Sequence, residues 1–209
     1  PYSTLDPRSL NTSGRLNFLY RAQNARPGDI LIAPIAWLLQ KTIPFSVLKK
    51  NSFRYEKGSD LPENIHAHLT ALGYQASPLV EDVGQYSMRG GILDIFSPAH
   101  EMPVRLELFG ETLESLRFFS TADQRSQTET GSFHLIPCRE ALFDDDLLEP
   151  MLDRFRKSWA DREIERSEAE EMLRALSRKQ LTSGYDFLLP FFYPKLDSPL
   201  DHFSSSLNI

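Results

Sequence analysis

One strand-like stretch carries side chains suited to recognition rather than to catalysis. Alternation along residues 104–109 puts Val104, Leu106 and Leu108 on one face and Arg105, Glu107 and Phe109 on the other. The first set builds a core. The second places a large aromatic beside an Arg and a Glu on the face turned away from that core, and interfaces favour aromatic and Arg anchors of this kind. Two readings stay open at this point. The face is an interaction surface, or Phe109 packs beneath a loop or a neighbouring segment.

Catalytic chemistry finds less support. No G-x-x-x-x-G-K-[ST] loop exists to cradle phosphates, and Gly90-Gly91 is followed by Ile92, Leu93 and Asp94 rather than by Lys and Ser. There is no G-x-S-x-G elbow and no H-E-x-x-H pair. His66 and His68 stand two apart on an expected helix, so they diverge and read as exposed histidines rather than metal ligands. Asp144-Asp145-Asp146 read as a solvated helix start, where the dipole favours carboxylates. Cys138 reads as a small packed hydrophobe, without an evident activating neighbour. The expectation is a non-enzymatic piece with no catalytic, cofactor or metal residues of its own.

The elements that must position the 104–109 face can be traced along the chain. Residues 1–10 read as turn-like and 13–25 as a helix with Leu16, Leu19 and Tyr20 on one side. Ile30-Leu31-Ile32-Ala33 is a short apolar run of the kind found in buried parallel strands, and Pro34 suits the start of a helix through Ile35, Leu38 and Leu39. Residues 45–57 read as strand-like. Ser59-Asp60 are placed to cap a helix carrying Ile65, Leu69 and Leu72 and ended by Gly73. Residues 78–83 form a connector. An antiparallel meander then covers 86–119: Tyr86–Phe96, Val104–Phe109 and Thr112–Phe119, with Gly110-Glu111 as a type II′ turn. A short strand is expected over 133–137. From Ala141 the chain reads as helical, with Leu148, Met151, Leu152, Phe155 and Trp159 in a stripe. A charged helix is expected over 163–179 and an irregular packed segment over 184–203.

Composition bounds the class. Hydrophobic residues make up 41% and charged residues 25% of 209, an ordinary globular balance. A formal net charge of -6 without a basic run disfavours nucleic acid as the partner of this piece. A single cysteine suits a reducing compartment, so a cytoplasmic location is expected, and no apolar stretch reaches membrane-spanning length. A chain opening Pro1-Tyr2-Ser3 and closing on a strand-like Ser205–Ile209 reads as a segment of something longer.

Three runs carry a family resemblance. Ser87-Met88-Arg89-Gly90-Gly91-Ile92-Leu93-Asp94-Ile95-Phe96, then Pro103-Val104-Arg105-Leu106-Glu107-Leu108-Phe109-Gly110-Glu111, then Leu113-Glu114-Ser115-Leu116-Arg117, resemble the UvrA-binding domain shared by the excision-repair subunit UvrB and the transcription-repair coupling factor Mfd. Flanking segments favour the coupling-factor family: Leu31-Ile32-Ala33-Pro34 with Leu38-Leu39-Gln40-Lys41, Asp123-Gln124-Arg125-Ser126, and Leu135-Ile136-Pro137 ahead of a helix with Phe155, Ser158 and Trp159. The aromatic-rich DNA-clamping hairpin expected of UvrB is not seen.

The resemblance implies an α/β fold: a fragment of a UvrB-like α/β domain (1A/1B) with an inserted α+β domain 2 built on the meander. Residues 1–43 would be part of domain 1A, 44–137 domain 2, and 138–209 a mainly helical, truncated domain 1B. It implies UvrA as the partner, with Arg89, Arg105 and Phe109 at the family's contact positions and Glu107 beside them. In the longer family protein it implies ATP, RNA polymerase and double-stranded DNA at other domains, and a C-terminal domain covering the UvrA-binding face. Two alternatives stand beside it. One is a piece of a UvrB-type damage-verifying helicase. The other is a structural α/β scaffold with Phe109 buried against residues 184–203.

Overall fold

The computed structural model describes residues 7–143, 145–160, 166–178 and 188–203. Helix α1 (Pro7–Gln23) opens with Pro at its first turn, where a missing N–H costs nothing, and buries Leu16, Leu19 and Ala22. The expected turn over residues 7–10 is therefore helical; residues 1–6 lie outside the described region.

The apolar run 30–33 does not form a strand. Ile30 and Ile32 are exposed while Leu31 and Ala33 pack on the first core. A strand is defined by ladder hydrogen bonds, and no described strand lies alongside to supply them. Pro34 starts only a single turn, α2 (Ile35–Leu38), with Ile35 and Leu39 exposed.

Residues 45–50 also depart from the strand expectation. Helix α3 (Phe45–Lys50) forms because the Pro44 carbonyl accepts from Val47 and Leu48 N–H, and Asp197 Oδ2 accepts from Phe45 N–H at 2.7 Å. Strand β1 (Phe53–Tyr55) follows and pairs antiparallel with β8 (Phe133–Leu135). Helix α4 (Ile65–Ala71) buries Ile65 and Leu69, and Gly73 leaves it at φ +92°. Its cap is Asn64, whose side chain accepts from Ala67 N–H, not Ser59-Asp60.

The main sheet has six strands in the order β2 (Gln75–Ala76), β3 (Gln85–Arg89), β4 (Ile92–Ile95), β5 (Val104–Phe109), β6 (Thr112–Phe119) and β7 (Ser126–Glu129). Only β2–β3 is parallel. The expected single strand Tyr86–Phe96 is two strands. Gly90, at φ +60°, and Gly91 form a two-residue hairpin turn. A Cβ on Gly91 would stand 2.8 Å from the Leu108 carbonyl oxygen, so the close approach of β5 demands glycine there.

Two hydrophobic cores result. The first joins α1, Ile43, Leu48 and Ile136 to Leu142, Phe143 and the later helices: α5 (Asp145–Ala160), α6 (Arg166–Ser177) and α7 (Leu189–Phe192). A 3-10 turn (Pro199–His202) closes on α1. The second lies between α4, the inner face of the sheet and the β1–β8 pair. Helix α5 begins at Asp145, after a non-helical buried run Ala141–Phe143. The side chains of the acidic triplet 144–146 and of Trp159, and the segment after His202 beyond Phe203, lie outside the described residues.

Histidine contacts tie these parts together. The Tyr20 hydroxyl meets His134 Nδ1 at 2.6 Å, and His134 N–H donates to His100 Nε2 at 2.9 Å. Burial, with the charge of His134, pulls His100 down to about 4. Burial also lowers His68, His134 and His202. A group whose folded pKa lies below its unfolded value binds more protons when unfolded, so stability is full above about pH 6.5 and falls as pH drops. His100 alone should remove about 1–2 kcal/mol between pH 6.5 and 4, allowing for its partial exposure. Urea denaturation at stepped pH checks this. The midpoint should fall in that window, and His100→Gln should flatten the slope.

Candidate functional site

Strand register sets the outer face of the sheet. Ser87, Asp94, Arg105 and Arg117 form one cross-strand row, and Arg89, Ile92, Glu107 and Ser115 the next. Between them run Met88, Leu93, Leu106 and Leu116, which point to the core. Arg105, Glu107 and Phe109 therefore share the outer face, and the Gly90-Gly91 hairpin brings Arg89 to it.

Phe109 is 80% exposed at the tip of the β5–β6 hairpin, where Gly110 takes φ +65°. The scaffold alternative required it buried, and it is not. The tip is buttressed by the chain at 58–61. Gly58 N–H donates to the Leu113 carbonyl at 2.8 Å, Leu113 N–H to Ser59 at 2.9 Å and Leu61 N–H to Glu111 at 3.0 Å. The Thr112 hydroxyl adds a bond to Asp60 Oδ1 at 2.6 Å. Ser59 and Asp60, expected as a helix cap, serve the hairpin instead.

The two arginines differ. Arg105 donates through Nε to Asp94 Oδ1 at 2.7 Å and through Nη2 to Asp94 Oδ2 at 2.9 Å. Its Nη1 donates to the Gln124 carbonyl and to Ser126 Oγ, each at 3.3 Å, and its guanidinium lies 4.9 Å from the Phe119 ring centroid. Only 18% of its side chain is exposed. Arg89 makes one bond, Nη2 to Asp94 Oδ2 at 3.0 Å, and keeps 54% of its side chain exposed. Glu107 accepts from the Ser115 hydroxyl at 2.6 Å and sits 3.8 Å from Arg117 Nη1.

Sequence reading missed Asp94 and Ile92. Asp94 is 1% exposed and links both arginines. Ile92 is an exposed apolar side chain directly across from Arg89 and Glu107. The signal for both was the Gly-Gly turn, which fixes the register of β3 against β4.

The set-aside candidates have structural partners. His66 is exposed and reaches the Tyr86 hydroxyl at 3.3 Å; His68 packs edge-on to Phe53 at 4.9 Å and is half-buried rather than exposed. Burial pushes the Cys138 thiol well above its ordinary range, which keeps it protonated and weakly nucleophilic. Among the described residues no helix is long and apolar enough to cross a membrane.

Comparison with known proteins places this face within a matched region. Residues 54–140 match the family model of the UvrB interaction domain. The chain is 34% identical over 195 residues to the transcription-repair-coupling factor of Myxococcus xanthus, covering 92% of this chain and 16% of that protein. It is 32% identical over 203 residues to that of Haemophilus influenzae, covering 97% and 17%. It is 30% identical over 201 residues to that of Escherichia coli, covering 96% and 17%. The chain thus spans about one-sixth of the length of the curated relatives it matches.

Proposed function

Because the chain belongs to the transcription-repair-coupling factor family, as a segment carrying a UvrB interaction domain, we propose that it recruits UvrA to sites where RNA polymerase has stalled. The observation that carries this reading is Phe109, 80% exposed on a pinned hairpin tip, on the same sheet face as Arg89 and inside the matched domain. The proposed contact residues are Arg89, Arg105, Glu107 and Phe109. Phe109 fills an apolar depression on UvrA and Arg89 meets an acidic group beside it.

In this reading residues 44–137 are the UvrA-binding domain 2, residues 1–43 part of domain 1A and residues 138–209 part of domain 1B. The segment is non-catalytic and binds no cofactor. ATP, RNA polymerase and double-stranded DNA are engaged by other domains of the longer protein, which works in the cytoplasm. A C-terminal domain of that protein covers the UvrA-binding face until it is needed. The UvrB-type helicase alternative is not favoured, since the relatives above are transcription-repair-coupling factors.

The test is binding of this chain to purified UvrA by calorimetry at moderate salt, wild type beside Arg89→Ala. Charge-assisted contacts contribute about 1.5–3 kcal/mol, so the variant should bind at least ~10-fold more weakly. Arg89 is mostly exposed, so its melting temperature should stay put. No binding by folded wild-type protein sinks the proposal.

A further inference from the structure

The carboxylate of Asp94 faces outward from β4 yet is 1% exposed, so no partner can reach it directly. Its surroundings say what it does. Every guanidinium nitrogen of Arg105 already has an acceptor within the chain, and the ring of Phe119 lies beneath the guanidinium. Arg105 is thus a fixed plate. Arg89 spends one nitrogen on the same carboxylate, and its Nε and Nη1 make no hydrogen bond or ion pair among the described residues. One buried negative charge is set against two positive ones, so the cluster presents a net positive charge, and Arg89 is its accessible half.

We infer that Asp94 is a positioning residue for the UvrA-binding face, acting through Arg89: it holds the Arg89 guanidinium over β4 with its remaining donors turned to an acidic group of the partner. This inference rests on the UvrA-binding reading and adds a residue that touches no partner. An unanchored arginine on a strand samples many rotamers, and binding must select one of them. Asp94 makes that selection beforehand. The geometry is specific, because Oδ1 is taken by Arg105 alone and Oδ2 is shared by both arginines. Arg105 thereby fixes the carboxylate that in turn fixes Arg89.

The test is a double-mutant cycle on the full chain, with purified UvrA: wild type, Arg89→Ala, Asp94→Asn and both together. Asparagine keeps the shape and one acceptor for Arg105 but loses the charge. Asp94→Asn should weaken binding about fivefold when Arg89 is present and less than about twofold when it is absent. A residue that acts only through general stability would lower binding by the same factor in both backgrounds, and that result overturns the inference while leaving UvrA binding intact. Should Asp94→Asn not fold, Asp94→Glu, which moves the charge outward by one methylene, carries the same cycle with the same criterion. A partner-free readout runs alongside. The Arg89 Nε–H resonance should be ordered and shifted in wild type and coil-like in Asp94→Asn; an unchanged resonance also overturns the inference. If wild-type protein shows no UvrA binding at all, the functional reading fails and this inference falls with it.

Discussion

Phe109→Ala should weaken UvrA binding by about 2–4 kcal/mol, some 30- to 1,000-fold in Kd, and leave the melting temperature unchanged. The two halves of this expectation have separate causes. Phe109 is 80% exposed in the free chain, so truncating it removes almost no folded-state packing. In the complex it would be the largest apolar surface on the face, and aromatic anchors dominate interface energetics. Phe109→Leu should fall between the two, retaining apolar area but losing the planar ring. Calorimetric titration against UvrA, with thermal unfolding as a control, reads both. A loss under twofold would move the interface elsewhere and leave the family membership untouched.

Glu140→Ala should have the opposite profile, costing about 3–5 kcal/mol of stability with UvrA affinity retained at temperatures where the chain is folded. Glu140 is 2% exposed. Its Oε2 accepts from Ile43 N–H at 2.9 Å, and its Oε1 forms an ion pair with the Nη2 of buried Arg15. Its own carbonyl accepts from the Tyr193 hydroxyl at 2.7 Å. One side chain thus joins α1, the chain entering α3 and the segment before α5. Removing it leaves the buried Arg15 guanidinium with Gln40 Oε1 but without its counter-ion, and the buried Ile43 amide without its acceptor, which costs far more than the pair contributes relative to water. The lost bonds lie in the first core, away from the Phe109 face, so denaturant unfolding should shift while titration with UvrA does not. A change below about 1 kcal/mol would show that solvent enters and replaces the carboxylate.

How much of this was legible in the sequence depends on where each signal resides. Strand β5 was readable because its alternation is intact, and Gly110 marks the turn into β6, whose buried Leu113 and Leu116 stand three apart because the register shifts opposite Glu107 and Leu108. The burial of Ile65, Leu69 and Leu72 followed from helical spacing. The β3–β4 hairpin was missed because apolar residues run on both sides of Gly90-Gly91, and a continuous strand explains them equally well until β5 is seen pressing its carbonyl on Gly91. Strand β7 is polar and exposed throughout, so no hydrophobic pattern announces it. Helix α3 owes its first N–H acceptor to Asp197, far along the chain, which local pattern cannot supply. For the site, alternation correctly put Arg105, Glu107 and Phe109 on one face. It could not show that Arg105 is largely occupied by Asp94, because that pairing belongs to cross-strand register rather than to either strand alone.

The buttressed hairpin tip bears on the speed of association. Three main-chain bonds and the Thr112–Asp60 contact hold the turn beside Phe109 in place before any partner arrives. An encounter then needs diffusion and orientation but no loop closure, so association should proceed at the ordinary docking rate of about 10⁵–10⁷ M⁻¹s⁻¹ with a single kinetic phase. Differences in affinity among variants of this face would accordingly be written in how long the complex lasts.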